Sequence, residues 1–479
     1  MTRALPEKAA LLRTQHPTLR YDSYRIRPTA VGLRLEYSFH LAPDITFTPT
    51  IQIPAGTHPV DSITERLAFL IGMVELLSYW KLACPARVEI GAAHLSRTEI
   101  EFWTDLIRHG MGEFFYVNQI PPSIPFSMVS TSHETAKPLL QSAPSPPQNN
   151  SHLVLVGGGK DSIVTLELLR RAAKNSATLQ SFVLNPISAS LQAIQEAGYP
   201  APLQATRTMD PQIYLLNEKG YLNGHTPFSA LLAFVSTLIA YQHGIESVLA
   251  SNESSASEGN VTYEDFEINH QYSKSFAFED KFRRYMQSSS VPVQYLSFLR
   301  PLNELQICAI FSTLRNQHQI FRSCNREQTL RARQKASSST EPDKRSGWCA
   351  ECPKCAFTYL CLSCFVSQSD LTEIFGTNPS TRPLFPQLAR ELAGLTEHKP
   401  FECVGTFGEV RSCLHHLFDK GVLSTAAHPE LASLRDELRK LPHEPLLKIL
   451  QHWNEQHFLN QQLCSLLQAS LAHSIEGLP

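Results

Sequence analysis

Hydrophobic and polar residues alternate along the first part of the chain and then take up helical spacing. Over residues 24–53 apolar side chains stand at every second position. This period is typical of antiparallel strands with one face in water. Helical patterns follow over residues 61–82 and 96–109. The pattern predicts an α+β domain over residues 1–128.

Residues 129–150 carry neither period. They are rich in Ser, Pro, Thr and Gln, a composition that is typical of flexible linkers. We therefore expect a linker, and a hinge, between two domains.

Short apolar runs and helical patterns alternate from residue 151 onward. A helix is expected to open with Thr226 as N-cap and Pro227 in its first turn. Strands that alternate with helices indicate a parallel, doubly wound sheet, and thus an α/β domain over residues 151–377. The expected strands cover residues 153–156, 179–185, 203–207 and 247–251.

Amphipathic helices dominate the predicted C-terminal region, residues 378–479. The clearest helical patterns cover residues 429–440 and 444–473. A polar island, residues 397–405, interrupts them.

The first strand of the α/β domain ends in the sequence GGGKDS. Gly157, Gly158 and Gly159 can adopt conformations in which backbone N–H groups converge on an anion at the helix N-terminus. Lys160 adds a positive charge and Ser162 a hydroxyl. The Asp161 carboxylate would repel phosphate unless a divalent cation lay between them. This set predicts ATP with Mg²⁺, bound by residues at an exposed loop.

Two commoner nucleotide loops do not fit this sequence. A Walker A motif would need Gly at position 154 and Ser or Thr at 161, where Val154 and Asp161 stand. A Rossmann fingerprint would need glycine at position 162. A glycine-rich turn without a ligand is the remaining structural alternative. GGGKDS resembles the PP-loop of the ATP pyrophosphatases, and this resemblance implies an adenine nucleotide alpha hydrolase-like sheet.

Further polar residues stand where ligands of parallel sheets bind. Asn185 and Asn252 follow two of the predicted strands, at the sheet edge where such ligands lie. The polar tracts at residues 251–260 and 268–275 and the island at 397–405 are either solvated loops or parts of a site. Their candidates for proton transfer are Glu258, His270, Lys274, His398 and Cys403.

Four cysteines have the spacing of a metal site. Cys349, Cys352 and Cys355 follow one another as C-x2-C-x2-C, and Cys324 precedes them. Thiolates on such a turn can hold a structural zinc ion. A [4Fe–4S] cluster with three cysteine ligands and free thiols are the alternatives.

Composition limits the class of protein. The chain has 479 residues, of which 42% are hydrophobic and 18% charged, and its net charge is −2. These values predict a soluble globular protein without the electrostatic footprint of a nucleic-acid binder. We expect a cytoplasmic protein because no segment resembles a signal peptide or a membrane span. Eleven cysteines, an odd number, suit reduced thiols. The oligomeric state stays open.

Eight motifs that follow one another along the chain make the resemblance specific to one family. Together they resemble the ATP-dependent UDP-N-acetylmuramoyl-L-alanyl-L-glutamate epimerases of bacterial peptidoglycan synthesis. The motifs are GGGKDS, GYLNGHTPFSA, SNESSASEGN, NHQYSKS, LRPLNELQI, SCNR, WCAECPKC and HKPFECVG. The resemblance implies a UDP-linked muramoyl dipeptide as substrate, and conversion of its terminal L-glutamate to the D isomer with release of AMP and diphosphate.

Two other functions remain open from sequence. The cysteine spacing also resembles that of 7-cyano-7-deazaguanine synthases, so a different PP-loop adenylating enzyme, such as an amide-, nitrile- or thiol-forming ligase, is one alternative. A nucleotide-binding module without catalysis is the other. A ligase would need a nitrogen or sulfur donor, and a binding module would form no AMP.

Overall fold

The computed structural model describes residues 5–132, 150–172, 178–324, 347–425 and 428–476. One eleven-stranded sheet runs through the N-terminal and central parts of the chain, and a small hairpin of β11 and β12 lies apart from it. The strands are β1 Thr18–Thr29, β2 Gly32–Leu41, β3 Ile45–Phe47, β4 Thr50–Pro54, β5 Arg87–Ile90, β6 Ser127–Ser130, β7 Ser151–Leu155, β8 Thr178–Leu184, β9 Leu203–Thr208, β10 Ser247–Ala250, β11 Val261–Tyr263, β12 Phe266–Ile268 and β13 Gln294–Ser297.

Helices cover the sheet and form the C-terminal region. They are α1 Glu7–Gln15, α2 Ser62–Trp80, α3 Arg97–Gly110, α4 Gly112–Val117, α5 Lys160–Ala172, α6 Ser188–Glu196, α7 Gln212–Glu218, α8 Phe228–Gln242, α9 Phe276–Ser288, α10 Glu304–Ser312, α11 Pro353–Ser363, α12 Gln368–Phe375, α13 Phe385–Leu392, α14 Phe407–Asp419, α15 Glu430–Leu438, α16 Leu446–Leu450 and α17 Gln461–Ile475. None of the helices in the described ranges is long and apolar enough to cross a membrane.

Five parallel strands form the half of the sheet that carries the glycine loop, in the order β13-β10-β7-β8-β9. Successive side chains of β7 enter different cores: Leu153 packs with α8 on one face, while Val154 packs with α5 and α10 on the other. A strand buried on both faces is typical of a sheet covered by helices on each side. The predicted α/β fold with a parallel sheet is confirmed here.

The antiparallel strands predicted near the N-terminus are also confirmed, since β2 pairs antiparallel with β1 and β4. The sheet does not stop there. β4 pairs antiparallel with β9, with Ile51 opposite Arg207, and so joins the two halves. Motion about the predicted hinge would have to break these hydrogen bonds. β6 extends to Ser130, and residues 133–149 of the expected linker lie outside the described residues, so the linker and the domain boundaries stay predictions.

Two expected helical features are wrong. Thr226 is not the N-cap of α8, because the helix begins one residue later and Pro227 occupies the cap position without a side-chain hydrogen bond. The helix expected over residues 444–473 is divided into α16 and α17. Between them Asn454 donates its backbone N–H to the Pro301 carbonyl, 3.0 Å away, and its side chain to the Arg300 carbonyl, 3.2 Å away. These bonds replace helical ones and attach the segment to the sheet edge.

Candidate active site

The glycine loop joins the carboxyl end of β7 to the N-terminus of α5. Gly158 has a φ of 86°, and a Cβ there would lie 2.8 Å from the Ser190 nitrogen, so both conformation and space favour glycine. A Cβ on Gly157 would meet nothing within 4 Å. The Ser162 hydroxyl accepts a hydrogen bond from the Gly158 N–H at 3.2 Å. The loop thus lies at a helix N-terminus with open space beside Gly157, a position that suits phosphate.

Lys160, the first residue of α5, is buried, contrary to the expectation of an exposed position. Its side chain is 1% exposed, and its ammonium donates to the carboxylates of Asp161 and Glu304. Burial disfavours the ammonium, but the two carboxylates outweigh it and raise the pKa of Lys160 well above its usual value. Burial raises the pKa of Glu304, whereas the charge of Lys160 opposes this rise. Lys160 therefore remains charged between two acidic groups.

A cavity of about 260 Å³ opens beside this loop. Asp161 and Ser162 line it from α5, and Asn252 lines it from the loop after β10. The cavity wall also includes the cationic side chains of Lys274, Arg322 and Lys354. Positive side chains and a glycine cradle fit a polyphosphate, and the Asp161 carboxylate is a ligand type that Mg²⁺ prefers. The residues present therefore fit ATP and Mg²⁺.

Cys403 also lines this cavity. Lys274 donates to its sulfur from 3.2 Å, although 129 positions of sequence separate the two residues. The Lys354 ammonium donates to the Cys403 backbone carbonyl. Burial would raise the pKa of the thiol, but the charge of Lys274 and a hydrogen bond from His270 lower it to about 6. Cys403 is therefore a thiolate at neutral pH.

His270 connects this thiolate to the N-terminal part of the chain. Its Nδ1 lies 2.5 Å from Oε2 of Glu113, the second residue of α4. Burial opposes the imidazolium, but interactions with Cys403 and Glu113 raise the pKa of His270 to about 9. The His225 ring lies 4.5 Å from the His270 ring, and burial lowers the pKa of His225 well below its usual value. A carboxylate, an imidazolium and a thiolate thus follow one another.

Three of the predicted site residues have other surroundings. Glu258 accepts hydrogen bonds from Lys399, at 3.1 Å, and from the Phe407 N–H, at 3.0 Å. His398 is exposed and packs against the Tyr116 and Phe401 rings. The Asn185 Oδ1 accepts the Arg207 N–H at 2.9 Å. Among the described residues that line the cavity, none of these three appears. His270, Lys274 and Cys403 are the acid–base candidates that come together.

Sequence reasoning missed three charged residues of this site, Glu304, Arg322 and Lys354. Glu304 lies in the motif LRPLNELQI, and Lys354 lies between two cysteines of WCAECPKC. Neither residue was assigned a role, because LRPLNELQI served only as a family motif and WCAECPKC was interpreted through its cysteines. Glu304 begins α10, and Asn303 caps that helix. A buried carboxylate at the start of an apolar helix is the signal that could have found Glu304, because such a group needs a cation nearby.

The four predicted metal-binding cysteines do converge. The sulfurs of Cys324, Cys349, Cys352 and Cys355 all lie within 4.8 Å of one another. Those of Cys352 and Cys355 are 3.4 Å apart. Four thiolates on one tetrahedral zinc ion lie about 3.8 Å from one another, so this spacing suits a single ion. Cys361 lies in the core, and Cys364 is the C-cap of α11.

Comparisons with known proteins agree with this assembly. The family models described as MurL N-terminal domain and MurL C-terminal domain match residues 11–298 and 320–445. Three curated relatives are named UDP-N-acetyl-alpha-D-muramoyl-L-alanyl-L-glutamate epimerase. The Micromonospora protein is 33% identical, over 76% of this chain and 78% of its own length. The Salinispora tropica protein is 34% identical, over 76% of each chain.

The third relative, from Xanthomonas oryzae pv. oryzae, is 32% identical over 79% of this chain and 81% of its own length. No solved structure matches the chain. The first family match runs without a break from the antiparallel strands into the parallel half of the sheet, as the β4–β9 pairing does. The chain belongs to the MurL family, whose curated members are named as epimerases of UDP-N-acetylmuramoyl-L-alanyl-L-glutamate.

Proposed function

We propose that this protein is an ATP-dependent epimerase of peptidoglycan synthesis. It converts the terminal L-glutamate of UDP-N-acetylmuramoyl-L-alanyl-L-glutamate to D-glutamate through an acyl-adenylate, with release of AMP and diphosphate. The observation that carries the proposal is the shared cavity: Gly157 and Gly159 of the glycine loop and Cys403 line the same space. Family membership supports the substrate, which the relatives' names state.

Activation by ATP answers a chemical difficulty. Removing the α-hydrogen of a carboxylate would put two negative charges on one carboxyl group. Transfer of AMP to that carboxylate gives a mixed anhydride whose acyl group carries no charge. The pKa of the α-carbon then falls by many units, and each unit is worth about 1.4 kcal/mol. A general base can now remove the hydrogen.

The glycine loop and α5 supply the activation half of the site. Backbone N–H groups of residues 157–159 and the helix N-terminus would hold phosphate oxygens, together with the Ser162 hydroxyl. Asp161 would hold Mg²⁺, which neutralises phosphate charge. Lys160 keeps Asp161 ionised, since the charge of Lys160 overcomes the burial that would raise the Asp161 pKa. Asn252 supports the cavity wall through its hydrogen bond to Ser297, 3.0 Å away.

Cys403 is the proposed base for the α-hydrogen. Cys403 lines the cavity, and Lys274 and His270 stabilise the charge of its thiolate. An acid that returns the proton to the opposite face of the planar carbon must lie roughly 6–7 Å from the base, because each reacting atom approaches to about 3–3.5 Å. Lys274, only 3.2 Å from the sulfur, is too close for that role. We therefore assign Lys274 to holding the thiolate.

The four-cysteine cluster is proposed to hold a structural zinc ion. Such an ion adds folding free energy by binding the folded chain alone. Cys352 is the N-cap of α11 and Cys355 is its third residue, and Lys354 lies between them. The ion would thus fix the helix that carries Lys354 to the cavity.

One incubation tests the function. The protein, ATP, Mg²⁺ and the UDP-linked dipeptide are combined without amine or thiol, and the glutamate is released and analysed by chiral chromatography. We expect D-glutamate and AMP in water alone. AMP that forms only when a nitrogen or sulfur donor is added would favour a ligase, and ATP that remains intact would favour a binding module.

A further inference from the structure

We infer that Glu113 is a positioning residue for proton transfer: it fixes the His270 imidazole against Cys403 and so helps to keep the sulfur ready to act as a base. The inference deepens the proposed function and rests on it for the role of Cys403. Glu113 belongs to the N-terminal part of the chain, which otherwise contributes no proposed chemistry among the residues described.

The contact between Glu113 and His270 is short and shielded. The Oε2 to Nδ1 distance is 2.5 Å, and the two side chains are 20% and 15% exposed. Both backbones are held in place. A Cβ on Gly112 would lie 3.0 Å from Ile268, so α4 packs tightly on β12. The His270 N–H donates to Asn260 Oδ1 at 2.7 Å. The imidazole therefore has little freedom to turn away.

A carboxylate bound to one ring nitrogen controls the protonation and the hydrogen bonding of the other ring nitrogen. It accepts the Nδ1 proton and stabilises the doubly protonated ring, which then offers its other N–H to a partner. That partner is the Cys403 sulfur. The arrangement follows the general logic in which a third group orients a base beside a nucleophilic or basic side chain.

The charges around the sulfur separate the contribution of Glu113 from that of its neighbours. Lys274 and Lys354 face Cys403 as cations. Glu402 faces it as an acid, and burial raises the Glu402 pKa to about 7. His225, beside His270, is neutral because burial lowers its pKa. Loss of Glu113 should thus weaken the imidazolium contribution and leave those of the two lysines unchanged.

The test follows the thiolate directly and needs neither ATP nor substrate. Full-length protein is treated with iodoacetamide over a pH series, and alkylation of the Cys403 peptide is measured by mass spectrometry. In wild-type protein we expect half-maximal reactivity near pH 6. In Glu113→Gln the midpoint should rise by about one unit, so that alkylation at pH 6 falls roughly fivefold. An unchanged midpoint in folded Glu113→Gln would overturn the inference.

Glu402→Gln is the matched control. It also replaces a half-buried carboxyl group beside Cys403 by an amide. This carboxyl group, whose pKa burial raises to about 7, is however mostly protonated at pH 6, and any charge that it carries disfavours the thiolate. Its midpoint should stay the same or fall. A rise equal to that of Glu113→Gln would mean that the midpoint reports general disturbance of the site, and the inference would fail.

A second measurement needs no variant of Glu113. The NMR titration of His270, assigned by comparison with His270→Gln, should give a pKa near 9 in wild-type protein. A pKa at or below the ordinary histidine value would overturn the inference even if Glu113→Gln does not fold. Neither measurement involves turnover, so failure of the epimerase proposal would leave both results interpretable.

Discussion

The activation half and the thiolate half of the cavity use lysine for opposite purposes. In the activation half, defined by residues 157–162 and Glu304, the Lys160 ammonium forms ion pairs with the Asp161 and Glu304 carboxylates. In the thiolate half, defined by Cys403, Lys274, His270 and Glu113, cationic groups surround a sulfur that would otherwise hold its proton. The first arrangement prepares a site for phosphate and a metal ion, and the second prepares a base. The difference predicts that the two halves can be disabled separately.

The largest effect is expected from Asp161→Asn. Without this carboxylate Mg²⁺ loses its proposed ligand, and both AMP formation and exchange of the α-hydrogen should fall by roughly 10³-fold, the size seen when one electrostatic stabiliser is removed. AMP release and proton NMR in deuterium oxide measure the two steps. Glu373→Gln, on the exposed side of α12, is the control and should change neither. Unchanged AMP formation in Asp161→Asn would remove the loop from the mechanism.

The Cys403→Ser variant should separate adenylation, the reaction of the activation half, from proton transfer, the reaction of the thiolate half. A serine hydroxyl stays protonated at neutral pH, so α-hydrogen exchange should fall by about 10³-fold, whereas ATP–diphosphate exchange with substrate should persist. Substrate-dependent isotope exchange into ATP measures the first step, and deuterium incorporation measures the second. Equal losses in both assays would contradict the assignment of Cys403 to proton transfer alone.

Lys160→Ala is expected to act first on stability. It leaves the buried Glu304 and the partly exposed Asp161 without their cation, and breaking a buried ion pair costs about 3–5 kcal/mol. Denaturant unfolding measures the loss. The double variant Lys160→Met with Glu304→Gln should recover most of that stability without recovering AMP formation. If Lys160→Ala unfolds like wild-type protein, the pair does not hold the loop.

Removal of the proposed zinc should lower the thermal stability of the protein rather than act directly on catalysis. Cys352→Ser is expected to lose one zinc per chain and to melt at least about 5 °C lower, because a structural ion contributes folding free energy. Elemental analysis and thermal unfolding measure the two effects. Cys364→Ser, at the end of the same helix but outside the four-sulfur cluster, should retain the metal. Iron in the purified protein would favour a cluster instead.

The smallest effect is a pH window for exchange. Cys403 has a lowered pKa of about 6, so its basic form is lost as the pH falls through 6. His270 has a raised pKa of about 9, so its stabilising charge is lost as the pH rises through 9. Exchange should therefore fall about tenfold per unit below pH 6 and less steeply above pH 9. A profile without an acid limb would argue against a thiolate base.

The two halves also differ in how far the sequence reveals them. The glycine loop of the activation half could be located from the sequence because six consecutive residues, 157–162, carry glycines, a cation, an acid and a hydroxyl between a strand and a helix. Glu304 was missed because it lies 144 positions from Lys160. For the thiolate half, the sequence provided only a set of candidate residues for proton transfer and did not show which of them lie together. Lys274 and Cys403 become neighbours through tertiary packing of segments 129 positions apart, and no local period encodes that contact.

The fold also divides into features that local sequence patterns predict and features that depend on contacts between distant segments. Periodicity predicted the parallel and antiparallel strands, since each depends on neighbouring residues in the chain. It did not predict the pairing of β4 with β9, which joins the halves of the sheet. Nor did it predict the break between α16 and α17, where Asn454 hydrogen-bonds to distant carbonyl groups and helical spacing alone gives no warning.

The central claim is that adenylation must precede removal of the α-hydrogen. It is tested most directly by incubating wild-type protein and the UDP-linked dipeptide in deuterium oxide, with ATP and Mg²⁺, without ATP, or with the non-cleavable α,β-methylene analogue. The account predicts deuterium at the glutamate α-carbon with ATP alone. Deuterium incorporation without ATP, or with the analogue, would contradict it, because an unactivated carboxylate gives that carbon no reason to exchange.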